Sequence, residues 1–202
     1  MESGAVLKDA LVVVRQALKA RGFSAKGTTF HRKTDDGNTV VLSVQKSVKS
    51  SPAEAEVTLN FGVYSARLGS KLQDESSSAL DVTKAHWRKR LREGGREKWL
   101  HVKATDPADI AGRRVILDAV EGVLPELLEH ASDEALRNEW LSGSSPGLTD
   151  MQRLLFAAIL VNEIGPDERL NAVVGELRGL VAGSVHQGLV EGRLARAGVR
   201  VA

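Results

Sequence analysis

Hydrophobic positions in the chain change period twice, and each change marks a change of element. Leu7, Leu11, Val14 and Leu18 recur at three- and four-residue spacing, which predicts an amphipathic helix over 4–21. Ser3 is placed to cap it, Lys19 and Arg21 sit at its negative end, and Gly22 followed by apolar Phe23 is a stop signal. The period then becomes two. Residues 28–34 alternate around Phe30, Asp35-Asp36-Gly37-Asn38 reads as a turn, and Val40, Leu42 and Val44 share one face of a second strand. After a polar loop over 47–54, Val57, Leu59, Phe61 and Val63 share one face of a third strand. This is the half-buried antiparallel pattern.

Residues 65–82 are polar and Ser-rich and read as a long loop. The segment 85–92 fits either period. The strand reading is preferred, with Trp87, Lys89 and Leu91 on one side and His86, Arg88, Arg90 and Arg92 on the other. A Gly-Gly turn within 93–96 leads to a further strand over 97–103. Helical spacing returns near Asp106, with Pro107 at the first helical position and a stripe of Ile110, Leu117, Val120, Leu124 and Leu127. Pro125 predicts a kink or break in that run. The remainder reads as helices with short loops. One ends at Trp140-Leu141, one opens at the capping box Thr149-x-x-Gln152, one opens at Pro166 and the last ends at Gly198. Their stripes are Met151/Leu154/Leu155/Ile159, Leu170/Val173/Val174/Leu177/Val181 and Val185/Leu189/Leu194.

The expected class is α+β. An N-terminal helix, an antiparallel sheet of about five strands and a long helix form a domain over 1–130, followed by a C-terminal helical annex over 131–202. The chain has no Cys, so disulfides and thiolate chemistry are excluded, which fits a reducing cytoplasm. No apolar run reaches the length of a membrane span, and Met1–Ser3 leads into the first helix without a signal pattern. The expectation is a cytoplasmic protein away from membranes.

Charge is nearly balanced overall at +2, but it is unevenly placed. Over 83–103 eight Lys and Arg face two Glu, a net +6; over 104–150 ten acids face three Arg, a net −7. Neighbouring blocks of opposite sign are expected to meet in the fold. Trp87 with Arg88, Lys89, Arg90 and Arg92 is the strongest binding signal, since Arg forks suit carboxylate or phosphate and an exposed Trp can stack a base.

Catalytic motifs fail on chemistry. Gly143-Ser144-Ser145-Pro146-Gly147 matches G-x-S-x-G, with Asp167 and His186 following in hydrolase order. Yet Pro146 has no N–H to offer an oxyanion, and the motif follows a helix rather than a strand. Gly22 and Gly27 have phosphate-loop spacing, but Thr28 stands where that loop needs Lys. His31, His86, His101, His130 and His186 form no ligand-spaced pair. No catalytic, cofactor-binding or metal residue is assigned.

The string Leu-Lys-Ala-Arg-Gly-Phe-Ser-Ala-Lys-Gly-Thr-Thr-Phe over 18–30 resembles the opening of a bacterial family called domain of unknown function 4304. Gln45-Lys46-Ser47, Asn60-Phe61-Gly62-Val63, Trp87-Arg88-Lys89-Arg90-Leu91 and Trp99 continue the resemblance, and 147–155 is a weaker part of it. The resemblance implies an α+β fold with an antiparallel sheet and implies no reaction. The functional expectation is a non-catalytic protein-binding or regulatory module with an immunity-like role by analogy, using Trp87, Arg88, Arg90 and Arg92. Its alternative is a nucleic-acid binder using the same strand.

Overall fold

A computed structural model describes residues 3–72, 81–103, 111–165 and 168–200. Helix α1 (Ser3–Lys19) leads into strands β1 (Ser24–Lys26), β2 (Thr29–Lys33), β3 (Thr39–Lys46) and β4 (Glu54–Tyr64). Helix α2 (Ala66–Leu72) and a 3-10 turn (Val82–Lys84) precede β5 (Trp87–Arg90), β6 (Arg92–Glu93), β7 (Arg96–Glu97) and β8 (Leu100–Lys103). Five helices complete the described chain: α3 (Ala111–Glu129), α4 (Asp133–Leu141), α5 (Asp150–Ile164), α6 (Glu168–Val181) and α7 (Gln187–Arg196).

The first helix stops as its sequence implies. Gly22 takes φ +81°, the Phe23 N–H donates to the Leu18 carbonyl and the Gly22 N–H to the Lys19 carbonyl, which is the six-to-one and five-to-two pairing of a Schellman stop. The main sheet is antiparallel throughout, in the order β1-β2-β3-β4-β5. Strand β4 is long enough to carry two partners on its second side. Its residues 54–57 pair with β8 and its residues 60–63 with β5, while β6 and β7 form a separate hairpin between them. The expected 97–103 strand is therefore split, because Lys98 and Trp99 are the crossing point back to the sheet. The Lys98 carbonyl accepts from the buried Thr58 hydroxyl at 2.9 Å.

Helices α1 and α3 pack on one face of the sheet, against Phe30, Leu42, Leu59 and Phe61. Helix α5 is apolar nearly all round and is buried from 153 to 161, with α4 and α6 packed on it. One continuous core includes Trp87 and Leu59 from the sheet and Trp140, Ile159 and Leu177 from the helices after residue 131. The capping box at Thr149 and Gln152 is present in both directions.

Several expectations are corrected. Strand β1, paired with β2 through a turn at Gly27 with φ +63°, precedes the expected strand over 28–34 and is not among the expected elements. Helix α2 falls inside the polar 65–82 segment and buries Leu68 and Leu72; residues 73–80 lie outside the described chain. Helix α3 runs through Pro125 to Glu129. Pro125 is exposed, so the Glu121 carbonyl left without its donor faces water, while Leu124 and Leu127 hold the turn in the core. Ile116 is fully buried and Leu117 only half-buried, so the stripe is rotated by one residue. Val185 and Leu189 are exposed, and Val190 with Leu194 forms the buried side of α7. The reading at 106–110, including Pro107 and Ile110, and the helix start at Pro166 lie outside the described residues.

Leu59 is completely buried at the centre of β4. Leu59→Ala is expected to remove about 2–5 kcal/mol of unfolding free energy, the range for truncating a core leucine to alanine. Denaturant titration followed by circular dichroism measures it, and an unmoved midpoint would mean that β4 faces the other way.

Candidate functional site

The basic segment singled out by its sequence forms β5 and the start of β6. Its position depends on two glycines that let other chain come close. A Cβ on Gly62, across from Arg88 on β4, would lie 2.4 Å from the Trp87 carbonyl oxygen. A Cβ on Gly147, in the loop between α4 and α5, would lie 2.8 Å from the Arg88 carbonyl oxygen. The strand is thus held between β4 and that loop at distances that no larger residue permits.

Each side chain of the segment has a distinct fate. Trp87 is fully buried and stacks on His130, with ring centroids 4.4 Å apart and planes 15° apart. It is a core residue, so it cannot serve as the exposed stacking platform that its sequence context suggests. Lys89 passes 5.3 Å over the Trp87 ring and donates to Glu126 on α3. Arg88 donates through Nη1 to the carbonyls of Thr83 at 3.0 Å and Ala85 at 3.2 Å, clamping the turn before its own strand. Arg90 donates through Nε to Asn60 and through Nη1 to both carboxylate oxygens of Glu97. Arg92 is exposed.

Between β5 and α3 lies a groove of about 910 Å³. Arg88, Arg90 and Arg92 line one side, and Gly122 and Val123 of α3 line the other. Pro146 and Gly147 close one end. Lys98, also in the wall, is paired with Glu93 at 2.6 Å. Among the described residues, Lys89, Arg90 and Lys98 have carboxylate partners, whereas Arg88 and Arg92 have none. Among the described residues, Lys89–Glu126 joins the two charge blocks directly, Arg90–Glu97 and Lys98–Glu93 form inside the basic block, and the acidic block also takes Arg21 and Arg67 from elsewhere.

The structure brings together a Ser, a His and an Asp that no motif indicated. Ser65 Oγ donates to Asp133 Oδ1 at 2.7 Å, and the Ser65 backbone N–H donates to His86 Nδ1 at 3.0 Å. The wiring is wrong for a nucleophile, because the histidine meets the amide and the hydroxyl proton is turned to the carboxylate. Ser65 is also fully buried. His86 is not on the Arg face of β5 but precedes the strand, buried between Tyr64 and Phe156. Asn38 and Arg67 complete this cluster by donating to Asp133 at 3.0 Å each.

The other sequence candidates are dispersed. Ser145 lies in the loop after α4, and its neighbour Ser144 donates to Glu139; Asp167 lies outside the described residues and His186 is exposed before α7. His31 is on β2, and His101 on β8 lies 3.4 Å from Glu54. Among the described residues, no group of three or more His, Cys, Asp or Glu is placed to hold a metal ion. No described helix is long and apolar enough to cross a membrane.

An α+β fold with this antiparallel sheet between an N-terminal helix and later helices defines the class. Within it, the chain belongs to the family described as Domain of unknown function (DUF4304), whose family model matches residues 14–127, more than half of the chain. The match contains β5 and α3, the two sides of the groove, and ends before the loop at Gly147 and the 147–155 segment. No curated protein and no solved structure matches the chain.

Glu139 supplies a pH signature for the junction of α4 with the loop that follows it and with His130. Burial alone would push its carboxyl up, but donation from Ser144 and His130, with the charge of Lys89 nearby, holds it below the ordinary glutamate value. A depressed carboxyl contributes stability above its unfolded pKa and loses it as pH falls through the folded one. The stability difference between the native protein and Glu139→Gln should therefore be largest above the ordinary glutamate range and shrink on acidification below it. Urea unfolding across that range checks this; a constant difference would refute the hydrogen-bonded carboxylate.

Proposed function

We propose that this protein is a non-catalytic binding module that holds an acidic segment of a partner protein in the groove between β5 and α3. The observation that carries the reading is the pair Arg88 and Arg92. Both line the groove without a carboxylate partner among the described residues, while the cations around them are already neutralised. An Arg fork is the side chain best suited to a carboxylate, and its uncompensated charge favours an acidic partner on encounter. The opposite wall supports the same reading. At Gly122 an added Cβ would meet nothing within 4 Å, so a main chain has room to approach α3.

The nucleic-acid alternative rests on fewer supports. It needs an aromatic platform and a run of free cations. Trp87 is sealed in the core and most of the cations are paired.

A photo-crosslinking residue at position 122 should capture a discrete polypeptide in cells that make the protein, whereas the same residue at Gly188 on α7 should not. Joint Arg88→Glu and Arg92→Glu substitution should reduce that capture by about tenfold or more. Capture of nuclease-sensitive material alone, or equal capture at both positions, would overturn the reading.

A further inference from the structure

The face of the sheet turned away from α1 and α3 carries a second hollow, of about 820 Å³, which adjoins the proposed protein-binding groove at Asn60, Val82 and Arg90. Its floor is set by strand register. Thr29 lies opposite Ser43, Ser43 opposite Asn60, and Asn60 opposite Arg90, so these four form one straight row across β2, β3, β4 and β5. Gln45 stands two residues along β3 on the same face.

The hydrogen bonds of this row give it a polarity. Arg90 Nε donates to Asn60 Oδ1 at 2.8 Å, and Arg90 Nη2 donates to Gln45 Oε1 at 3.2 Å. A guanidinium is only a donor, so the atoms facing it must be the amide oxygens. Asn60 Nδ2 then donates to the same Gln45 oxygen at 2.8 Å. Gln45 Oε1 thus accepts two bonds and Asn60 Oδ1 one, all from within the row. The Gln45 amide nitrogen, with two N–H groups, and the second Asn60 N–H are left for a ligand. Thr29 and Ser43 share one hydrogen bond at 3.2 Å, and whichever hydroxyl gives it, the other retains its O–H. Lys26 adds a positive charge at the rim. Among the described lining residues the carboxylate is Asp81, and its Oδ1 already accepts from the Thr83 N–H and hydroxyl.

A floor that offers amide and hydroxyl donors, with a lysine at its rim, selects an oxyanion. We propose that this sheet face is a binding site for a small phosphate ester, its phosphoryl oxygens received by Gln45, Asn60 and the Thr29–Ser43 pair, with Lys26 at the rim. The volume falls within the range of small-molecule sites. Asn60 and Arg90 are the residues of the row that also border the groove, and Arg90 acts in both by orienting the two amides.

Calorimetric titration with pyrophosphate and with glucose 6-phosphate, using glucose as the neutral control, tests the site. The two phosphates should bind with dissociation constants of about 1 mM or tighter, and glucose should not bind. Gln45→Glu is the decisive variant. Its carboxylate still accepts from Arg90 and Asn60, so folding is retained, but the outward donors become acceptors, and phosphate affinity should fall by about tenfold or more. Lys26→Glu, on an exposed strand end, should weaken binding in the same direction, while Gly188→Ala on α7, outside both hollows, should leave it unchanged. Side-chain amide resonances of Gln45 and Asn60 should move during the titration. Absence of pyrophosphate binding at about 5 mM, affinity unaltered in folded Gln45→Glu, or binding of single-stranded RNA without either small phosphate would each overturn the proposal.

Discussion

A carboxylate taken out of water must find donors, and the architecture of this protein turns on how Asp133 finds them. At the first turn of α4 it accepts from Asn38 Nδ2, Ser65 Oγ and Arg67 Nε. Those donors come from the end of the β2–β3 turn, the residue after β4 and the start of α2. Asn38 also donates to the Ala131 carbonyl and accepts from the Ala66 N–H, so its amide is fully engaged. The cluster ties one end of the sheet to the beginning of the C-terminal helices. Neutral donors left without this acceptor would each lose a buried hydrogen bond, and such losses exceed the net value of a made bond.

The chain beyond Asp133 inherits that position. Helix α4 carries Trp140 into the core and Glu139 to His130, which stacks on Trp87. The loop after α4 brings Gly147 against Arg88 and closes one end of the groove. The basic strand is therefore fixed from both sides, by β4 through Gly62 and by the α4–α5 loop through Gly147. Its cations face a groove whose shape is set by packing, while their own charges are mostly settled by local pairs.

Periodicity made the layers legible. The alternation around Leu42, Leu59 and Phe61 and the helical stripe of α1 depend on one buried face each, and burial of a single face leaves its period in the residues. Where tertiary contacts decide, the pattern misled. The polar segment before residue 73 hides α2 because two leucines, Leu68 and Leu72, suffice to dock it. Pro125 reads as a break, but its missing bond falls on the solvent side. Val185 and Leu189 read as core because they are apolar, yet α7 buries the side carrying Val190 and Leu194. The site was half legible. Charge identified the strand that lines the groove, but it could not separate Arg88 and Arg92 from their paired neighbours. Gln45 and Asn60 looked like ordinary outward polar positions, and only the strand register makes them a row. Asp133, Ser65 and Asn38 are far apart in sequence and carry no spacing signal at all.

The central claim is that the donors around Asp133 hold the C-terminal helices on the sheet. Equilibrium urea unfolding of Asp133→Ala, monitored by tryptophan fluorescence, tests it most directly because Trp87 and Trp140 lie on the two sides of that junction. Removal of the carboxylate should lower the unfolding free energy by about 2–4 kcal/mol, as expected when buried donors lose a charged acceptor. A change within about 0.5 kcal/mol, the size of an ordinary surface substitution, would contradict the account.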